Sequence, residues 1–598
     1  MSSTEYPRPR DRAVRHEPPP RPGSDATLGF SRKPPVRWFS PGVLADAGLR
    51  VVLSSVFGAF LDKRELQSGV DSPVVDHLAE RDELWLDYLS DTGDGFDPTY
   101  TMAWLASQPA LELPGVGQPL PRGDVLVLGG DEVYPTASPQ EYEDRFVGPF
   151  RAARPWAPPP QAADMFALPG NHDWYDGLTS FIRIFCQRKW VGAWRTWQGR
   201  SYFAVPLPHR WWLWGIDIQL DTYIDEPQLA YFERVVEQHM RPGDRIVLCT
   251  AKPSWVDTSE EPAAYRNLAY LERSLIRPAE ARLMLTLTGD SHHYSRFSGT
   301  DGTHKLTAGG GGAFLHPTHG LPDTVSLQVD DRDPSPQVYA RQACYPEAAT
   351  SRRLALGALT LPLRNRTFMV IPAVAHVLLL LASQFSLRTL GEHGDRSLSE
   401  AVPRFGLWDL VLGLVRSPLA VALIVTLAAG LVGFAKAPSR WAHGRPRRAA
   451  KAVMGLTHGL FQLLALLAVA WVSIRFASVA EGAVRTGLLI FLVAALGGIA
   501  GGLVMGAYLA LCNAVPGLDA HGNEAFSAQG LTGYKNLVRL HIDRQGVLRV
   551  YPLGVERVGS GWRLNPDPDP SAPWLVPEGA RPEVHLIEGP LVIDPGPG

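Results

Sequence analysis

The sequence predicts an α/β domain joined to a four-helix transmembrane region and a small β-rich C-terminal tail domain. Short apolar runs between residues 84 and 320 end repeatedly in Asp, Asn or His. Charge-free runs of membrane length crowd residues 368–512, and strand-like segments flank a turn near residue 545. At 598 residues the chain exceeds one ordinary domain. A formal net charge of -3 leaves no broad basic footprint, so no nucleic-acid partner is expected. Cys186, Cys249, Cys344 and Cys512 are scattered without a CxxC pair. That spacing offers no thiolate metal site and fits a reducing compartment.

Residues 1–36 carry PRPRDR, EPPPRP and RKPPVR. A segment so rich in Pro and Arg buries little apolar surface and is expected to be a disordered tail. Residues 42–61, GVLADAGLRVVLSSVFGAFL, are apolar but include Asp46 and Arg50. They read as an amphipathic helix, either packed on the protein or lying on a bilayer. The α/β domain is assigned to 37–350.

Its chemistry sits at the ends of strand-like runs. LWLDYLSDTGDGFD (84–97) delivers Asp91, then Asp94 and Asp97. GDVLVLGGDEVYP (123–135) delivers Asp131. LPGNHDWYDG (168–177) holds Asn171, His172, Asp173 and Asp176. DRIVLCTAKPSW (244–255) ends at Thr250 to Pro253, and ARLMLTLTGDSHHYSR (281–296) ends in Asp290, His292 and His293. Ligand sites gather beyond the carboxyl ends of strands in open α/β folds. Hard divalent ions that bind phosphate oxygens take carboxylate, carbonyl and imidazole ligands. A pair of such ions can share a carboxylate and clamp the attacking and leaving oxygens, while a nearby His protonates the leaving group.

Four runs read as membrane spans: 368–385, 417–435, 453–474 and 486–512. None has a charge, and each approaches or exceeds the roughly 20 residues that cross a bilayer. The transmembrane region is therefore 368–512, leaving 513–598 as the tail, where NLVRLHID and VLRVYPLGV flank DRQG as a hairpin. RRLALGALTLPLRNR before the first span and KAPSRWAHGRPRRAAK between the second and third are basic, which places them in the cytosol. Catalytic domain and C-terminus are then both cytosolic, on a multi-pass cell (inner) membrane protein. His376 and His458 lie within spans, and GGIAGG in the fourth reads as close helix packing.

The order Asp91, GGDEVY, GNHDWYDG and GDSHHYSR resembles the calcineurin-like metallophosphoesterase superfamily over roughly residues 84–320. Its usual pattern is DxH, GDxxD or GDxxY, GNHD/E, a His before Pro, and GHxH. The resemblance implies an α/β sandwich of two mixed β-sheets flanked by helices. It implies hydrolysis of a phosphomono- or phosphodiester with two divalent metal ions. Carried over position by position, Asp91 would bind the first metal, Asp131 both, and Asn171 the second. His172 would be the acid at the leaving group, Asp173 would orient it, and His292 would ligate the first metal.

The chain departs from that pattern in three places. The His of DxH is replaced at Gly93, and Asp94 is expected to substitute. The first His of GHxH is Asp290, still a competent ligand. The His before Pro is Ala251, beside Lys252. A site so rich in oxygen favours Mn, Mg or Fe over Zn. The substrate is a phosphoester, whether small molecule, lipid headgroup or nucleotide, and the bilayer is the other partner. Two further readings compete: a catalytically inactive phosphoesterase-like membrane scaffold or sensor, and a transport unit regulated by the soluble domain. The Gly-rich TAGGGGAFLHPTH (307–319) is a phosphate cradle or a tight turn, with His316 and His319 as candidate substrate contacts.

Overall fold

The structure, a computed structural model, describes residues 17–46, 72–218, 223–259, 261–329, 335–389, 405–437 and 445–594, with Gln67, Gly69, Glu400 and Pro403. Most of the amphipathic stretch 42–61 and parts of the loops 387–416 and 436–451 lie outside the described residues.

Strand β1 (Leu84–Leu89) is buried along its whole length. Leu84, Leu86 and Tyr88 join one core cluster while Trp85 and Leu89 join another, the two-sided burial that a near-continuous apolar run encodes. β1 pairs in parallel with β2 (Val125–Leu128), and β2 with β3 (Ala163–Ala167). The short strands β4 (Trp190–Val191) and β5 (Trp194–Thr196) close that edge through β5 on β3. A second sheet contains β6 (Phe203–Leu207), β7 (Trp211–Ile216), β8 (Arg245–Thr250), β9 (Arg282–Thr288), β10 (Tyr294–Gly299), β11 (His304–Ala308), β12 (Thr324–Leu327) and β13 (Gln337–Tyr345). Its order is β12-β13-β10-β11-β9-β8-β7-β6. β7, β8 and β9 are mutually parallel, while β10 runs antiparallel to both β11 and β13.

Apolar side chains from both sheets, among them Tyr88, Val127, Val247 and Leu287, form one cluster between them. Helix α1 (Phe96–Ser107) contributes to the cluster on the outer face of the first sheet, and α2 (Glu226–His239) to that on the second. The layers are those of the expected α/β sandwich. The Trp-rich stretches are strand packing: Trp194, Trp211 and Trp214 are fully buried.

The tail is not a separate domain. Strands β14 (Lys535–Ile542) and β15 (Leu548–Val555) form the expected hairpin, but β14 then pairs antiparallel with β1, from Leu84↔Ile542 to Tyr88↔Val538. Two short strands, β16 (His585–Leu586) and β17 (Leu591–Ile593), add to β15. The first sheet is thus completed by chain that follows the apolar helices. The join is locked by Arg539, whose guanidinium donates to both oxygens of Asp87 at 2.6 and 2.9 Å, and to the Leu120 carbonyl. Both side chains are buried, so neither charge is tolerable without the other.

The N-terminal segment also differs from expectation. Residues 17–36 lie along the protein, with Leu28, Phe30 and Val36 buried. Arg21 donates to the carbonyls of Asn565 and Asp569, and Arg32 to that of Trp562. Its few apolar residues suffice because a surface already exists to receive them.

Between the domain's two parts come α3 (Ala348–Ala355), a run of short helical turns over 356–369, and the apolar helices: α4 (Val370–Thr389), α5 (Leu407–Arg416), α6 (Pro418–Phe434), α7 (Arg445–Ala477) and α8 (Gly482–Ala514). Arg366–Gln384, Pro446–Ala477 and Gly482–Ala514 are long and apolar enough to cross a membrane. α5 and α6 form a pair bent by 87° that together would make a fourth. The expected second span, 417–435, covers only the α6 half of this pair, 17 residues beginning at Pro418. The glycines of α8 bring it against α4: a Cβ on Gly501 would lie 2.3 Å from the Pro372 side chain. His376 bonds its own helix at the Pro372 carbonyl, and His458 meets Gln462 one turn on. A short helix, α9 (Gly522–Ser527), leads from α8 into β14.

Candidate metal and catalytic site

The residues assigned metal or acid roles from the resemblance lie past the carboxyl ends of strands. Asp91 follows β1, Asp131 follows β2, Asn171 and His172 follow β3, and Asp290 and His292 follow β9. β1, β2 and β3 are parallel neighbours, so three of these ends share one sheet edge. Asp91, Asp131 and Asp290 have φ of +58°, +54° and +60°, a region non-glycine residues rarely occupy. Three such residues at three strand ends mark a backbone held in shape by its surroundings.

The centre of the arrangement is Tyr134. Its hydroxyl lies 3.0 Å from Asp91 Oδ1, 3.2 Å from Asp131 Oδ2 and 3.0 Å from His292 Nε2. His292 is fixed through Nδ1, 2.8 Å from the Phe314 carbonyl, which leaves Nε2 as its unprotonated nitrogen. Asp290 joins through its backbone, whose N–H donates to both Asp91 oxygens at 3.0 and 3.1 Å. Tyr134 carried no role in the sequence reading. The signal was present, because GGDEVY fits GDxxY and ends on it.

His172 lies beside this group. Its backbone N–H donates to Asp131 Oδ1 at 2.8 Å, and Nδ1 lies 2.7 Å from the Pro135 carbonyl. A carbonyl only accepts, so Nδ1 carries the proton and Nε2 keeps its lone pair. Trp38, Tyr134 and Tyr175 surround the ring at 5.7, 4.4 and 5.2 Å between centroids. Burial holds its pKa below the ordinary histidine value. Asn171, the preceding residue, is partly exposed.

Two expectations fail. Asp173 does not orient His172. Its Oδ2 accepts the amides of Asp131 (2.9 Å) and Gly170 (2.8 Å), and its Oδ1 accepts the Tyr142 hydroxyl. It shapes the two loops that carry the site, while the Pro135 carbonyl holds the imidazole. Asp94 does not stand in for the missing His after Asp91. Its oxygens accept the amides of Val36 (2.7 Å) and Phe314 (3.2 Å), tying the N-terminal segment to the Gly-rich loop. One position further along the chain turned the carboxylate from the site to the backbone beside it.

The Gly-rich loop also does local work. Gly311 and Ala313 donate to the Ser90 and Asp91 carbonyls, and Gly309 to that of His293. A Cβ on Gly309 would sit 2.7 Å from Asp91 Oδ2, and one on Gly170 2.1 Å from Asp131 Oδ1. These glycines let backbone approach the carboxylates. His316 stacks on His292 at 3.9 Å. His319 bonds Ser351 and Asn513 and ties the loop to the helices instead of reaching the site. Asp176 caps the following helix at Ser180, and His293 is buried in the core. Lys252 pairs with Asp257 at 2.9 Å.

The electrostatics are those of excess buried negative charge. Burial, then Asp131 and Asp290, push the Asp91 carboxyl well up, and burial followed by Asp173 raises Asp131. Asp290 is pushed up to about 7 by burial and then by Asp131. The positive charge of Lys252 opposes that rise at Asp290. Lys535 of β14 is fully buried on the Ala313 carbonyl and itself pulled down to about 7 by burial.

Among the described residues, no three His, Cys, Asp or Glu side chains converge to hold an ion by themselves. Adding the Tyr134 hydroxyl changes the count. It lies at hydrogen-bond distance, 3.0–3.2 Å, from Asp91, Asp131 and His292, and so brings a further oxygen donor beside theirs. A donor set of carboxylates, phenol and one imidazole, short of positive charge, suits a hard divalent cation.

No protein-family model matches the chain, and no curated protein does. Among solved structures it is similar to a purple acid phosphatase isolated from yellow lupin (Lupinus luteus) seeds: 15% identity over 41% of this chain and 46% of that one, TM-score 0.29. It is also similar to PhoD: 9% identity over 46% of this chain and 70% of that one, TM-score 0.28. The chain spans about half the length of the lupin phosphatase that it matches.

Proposed function

We propose that this protein is a membrane-anchored, metal-dependent phosphoesterase. The observation that carries the reading is the meeting of Asp91, Asp131 and His292 at the Tyr134 hydroxyl, with His172 bonded to the same Asp131. Two divalent ions, one held by Asp91, Asp131, Tyr134 and His292 and the other by Asp131, Asn171 and Asp290, would neutralise phosphoryl oxygens and acidify the attacking water. The oxygen-rich set favours Mn, Mg or Fe over Zn.

The chain's own residues do the rest. Asp131 is held through Oδ1 by the His172 amide, with Oδ2 3.2 Å from the Tyr134 hydroxyl, so its position is set within the protein. His172 keeps Nε2 open towards the site, where it takes a proton and gives it to the leaving oxygen. An anionic phosphate beside it favours the protonated ring, against the burial that otherwise lowers its pKa. The surrounding rings limit water at that nitrogen.

The test uses the full chain purified with excess Mn. Asp131→Asn is expected to lose metal and hydrolysis of generic mono- and diesters together. His172→Ala is expected to keep metal and lose turnover by about 10²–10⁴-fold. Equal metal loss in both variants would contradict these roles. The orientation of Asp94 supports a second reading, an inactive scaffold. Wild-type protein that binds no Mn and cleaves neither ester would decide for it.

Four crossings are proposed, with the catalytic domain and C-terminus cytosolic in a cell membrane. β1 and β14 pair in one sheet, so the chain between them crosses an even number of times. Three long apolar helices alone would be odd, and the bent pair supplies the fourth. The basic loop 436–451 supports the cytosolic assignment. Reporter fusions at the C-terminus and near residue 395 should report opposite sides; an external C-terminus would overturn the topology.

A further inference from the structure

We propose that the ester cleaved at this site is the phosphate of a membrane lipid, an inference that rests on the phosphoesterase reading and names its substrate class. The catalytic loops are built directly on the platform that carries the apolar helices. The loop bearing Phe314 and Leu315 shares one cluster with Ala358 and Leu361 before the first span, and with Phe368 at its start. Phe314 is also the residue whose carbonyl fixes His292, with ring centroids 4.9 Å apart. On the opposite wall, Trp38 packs on His172 and Phe314 at 5.7 Å, and the adjacent Phe39 packs on Phe368 at 5.4 Å. Two neighbouring aromatic residues therefore separate the leaving-group imidazole from the start of a membrane-length helix.

The platform has an outward face of unusual composition. Along 351–368, Ser351, Ala355, Ala358, Leu361 and Phe368 are buried, as the inner side of an amphipathic segment should be. The opposite side carries Leu356, Leu359 and Leu363, exposed at 47%, 47% and 72%, with the exposed Arg353, Arg364 and Arg366 among them. A water-facing surface would place polar residues there. Leucines flanked by arginines suit the boundary between acyl chains and anionic headgroups, where the guanidinium reaches outward along its apolar stem. This face runs straight into the first span, so its occupant is the same bilayer. The Trp38–Phe39 segment leads in sequence into the apolar stretch 42–61. A headgroup phosphate held at that surface would need no long excursion to reach Asp131 and His172. In the reaction, the water oxygen forms the new bond to phosphorus and gives up one proton to solvent. The bond to the leaving alcohol breaks, and that oxygen takes the proton that His172 Nε2 has drawn from solvent.

The full chain should be reconstituted in phosphatidylcholine vesicles with Mn. It should be offered phosphatidic acid or phosphatidylglycerol in the bilayer, the acyl-free glycerol 3-phosphate or glycerophosphoglycerol in solution, and aryl phosphate mono- and diesters. At equal total phosphate, at least one lipid is expected to be cleaved tenfold or more faster than its acyl-free counterpart. Leu359→Ser combined with Leu363→Ser should lower the lipid-to-aryl rate ratio by about tenfold, the loss of one or two kcal/mol of apolar burial. Hydrolysis of aryl or acyl-free esters, with neither lipid faster than its counterpart, would overturn the lipid proposal and leave the phosphoesterase reading standing. Hydrolysis of none of the esters would overturn both.

Discussion

Tyr134 does more for the candidate site than any other single side chain. Its hydroxyl lies within 3.0–3.2 Å of three buried acceptors, and its single proton can serve one of them at a time. Tyr134→Phe keeps the ring that packs on Trp38 and His172 and deletes only the oxygen. Metal affinity is expected to fall by about 10–100-fold or more, because the lost oxygen is one of the proposed ligands. Titration of the purified variant with Mn checks this; unchanged affinity would remove the hydroxyl from the site. Asp94 carries the opposite lesson at the same scale. A carboxylate three residues from a ligand, and itself buried, can be wholly engaged by backbone amides.

At the scale of elements, the decisive contact is β14 on β1. It carries Lys535 into the site and Arg539 onto Asp87. Arg539→Met is expected to destabilise the protein by about 3–5 kcal/mol, because Asp87 would be left buried and charged. Chemical denaturation followed by tryptophan fluorescence would measure this, since Trp85 lies next to Asp87 on β1. A fragment ending at residue 350 lacks both β14 and β15, exposes the edge of β1, and is expected to aggregate instead of yielding a folded domain. A change below about 1 kcal/mol for Arg539→Met would mean that Asp87 finds another partner in the variant.

Across the whole molecule, the two halves of the α/β domain are joined through the helices. A small polar cluster marks the joint. His521 lies 3.0 Å from the Lys436 amide and 3.2 Å from the Tyr508 hydroxyl, and Lys436 pairs with Glu524 at 2.8 Å. Burial opposes ionisation of Glu524, but His521 and Lys436 outweigh it and pull its pKa down to about 2. A depressed carboxyl stabilises the folded state above its unfolded value and loses that contribution as pH falls through the folded one. Glu524→Gln should therefore lower the Tm at neutral pH, and its difference from wild type should shrink between about 4.5 and about 2. A difference that persists unchanged at the acid end would assign the effect to packing instead of charge.

What the sequence determined by itself was local. Runs such as DVLVLGGD place a carboxylate at a strand end, because period and turn residues act over a few positions. Charge-free runs identify membrane-length helices for the same reason, since length and composition suffice. The turn DRQG joins β14 to β15 as read, because a hairpin's partner is its neighbour in the chain. Only the tertiary structure decided which strand β14 would join, since β1 lies some 450 residues earlier and a strand's pattern encodes its faces, not its partners. The same holds for the Pro-rich residues 17–36, ordered by a surface that other segments build. It holds for Asp94 and Asp173, whose acceptor oxygens went to whichever donors folding brought near. Lys535 could not have been assigned from its surroundings in sequence at all. A lysine opening a tail hairpin reads as solvated, and only the pairing of β14 with β1 carries it into the interior beside Asp91 and Asp94.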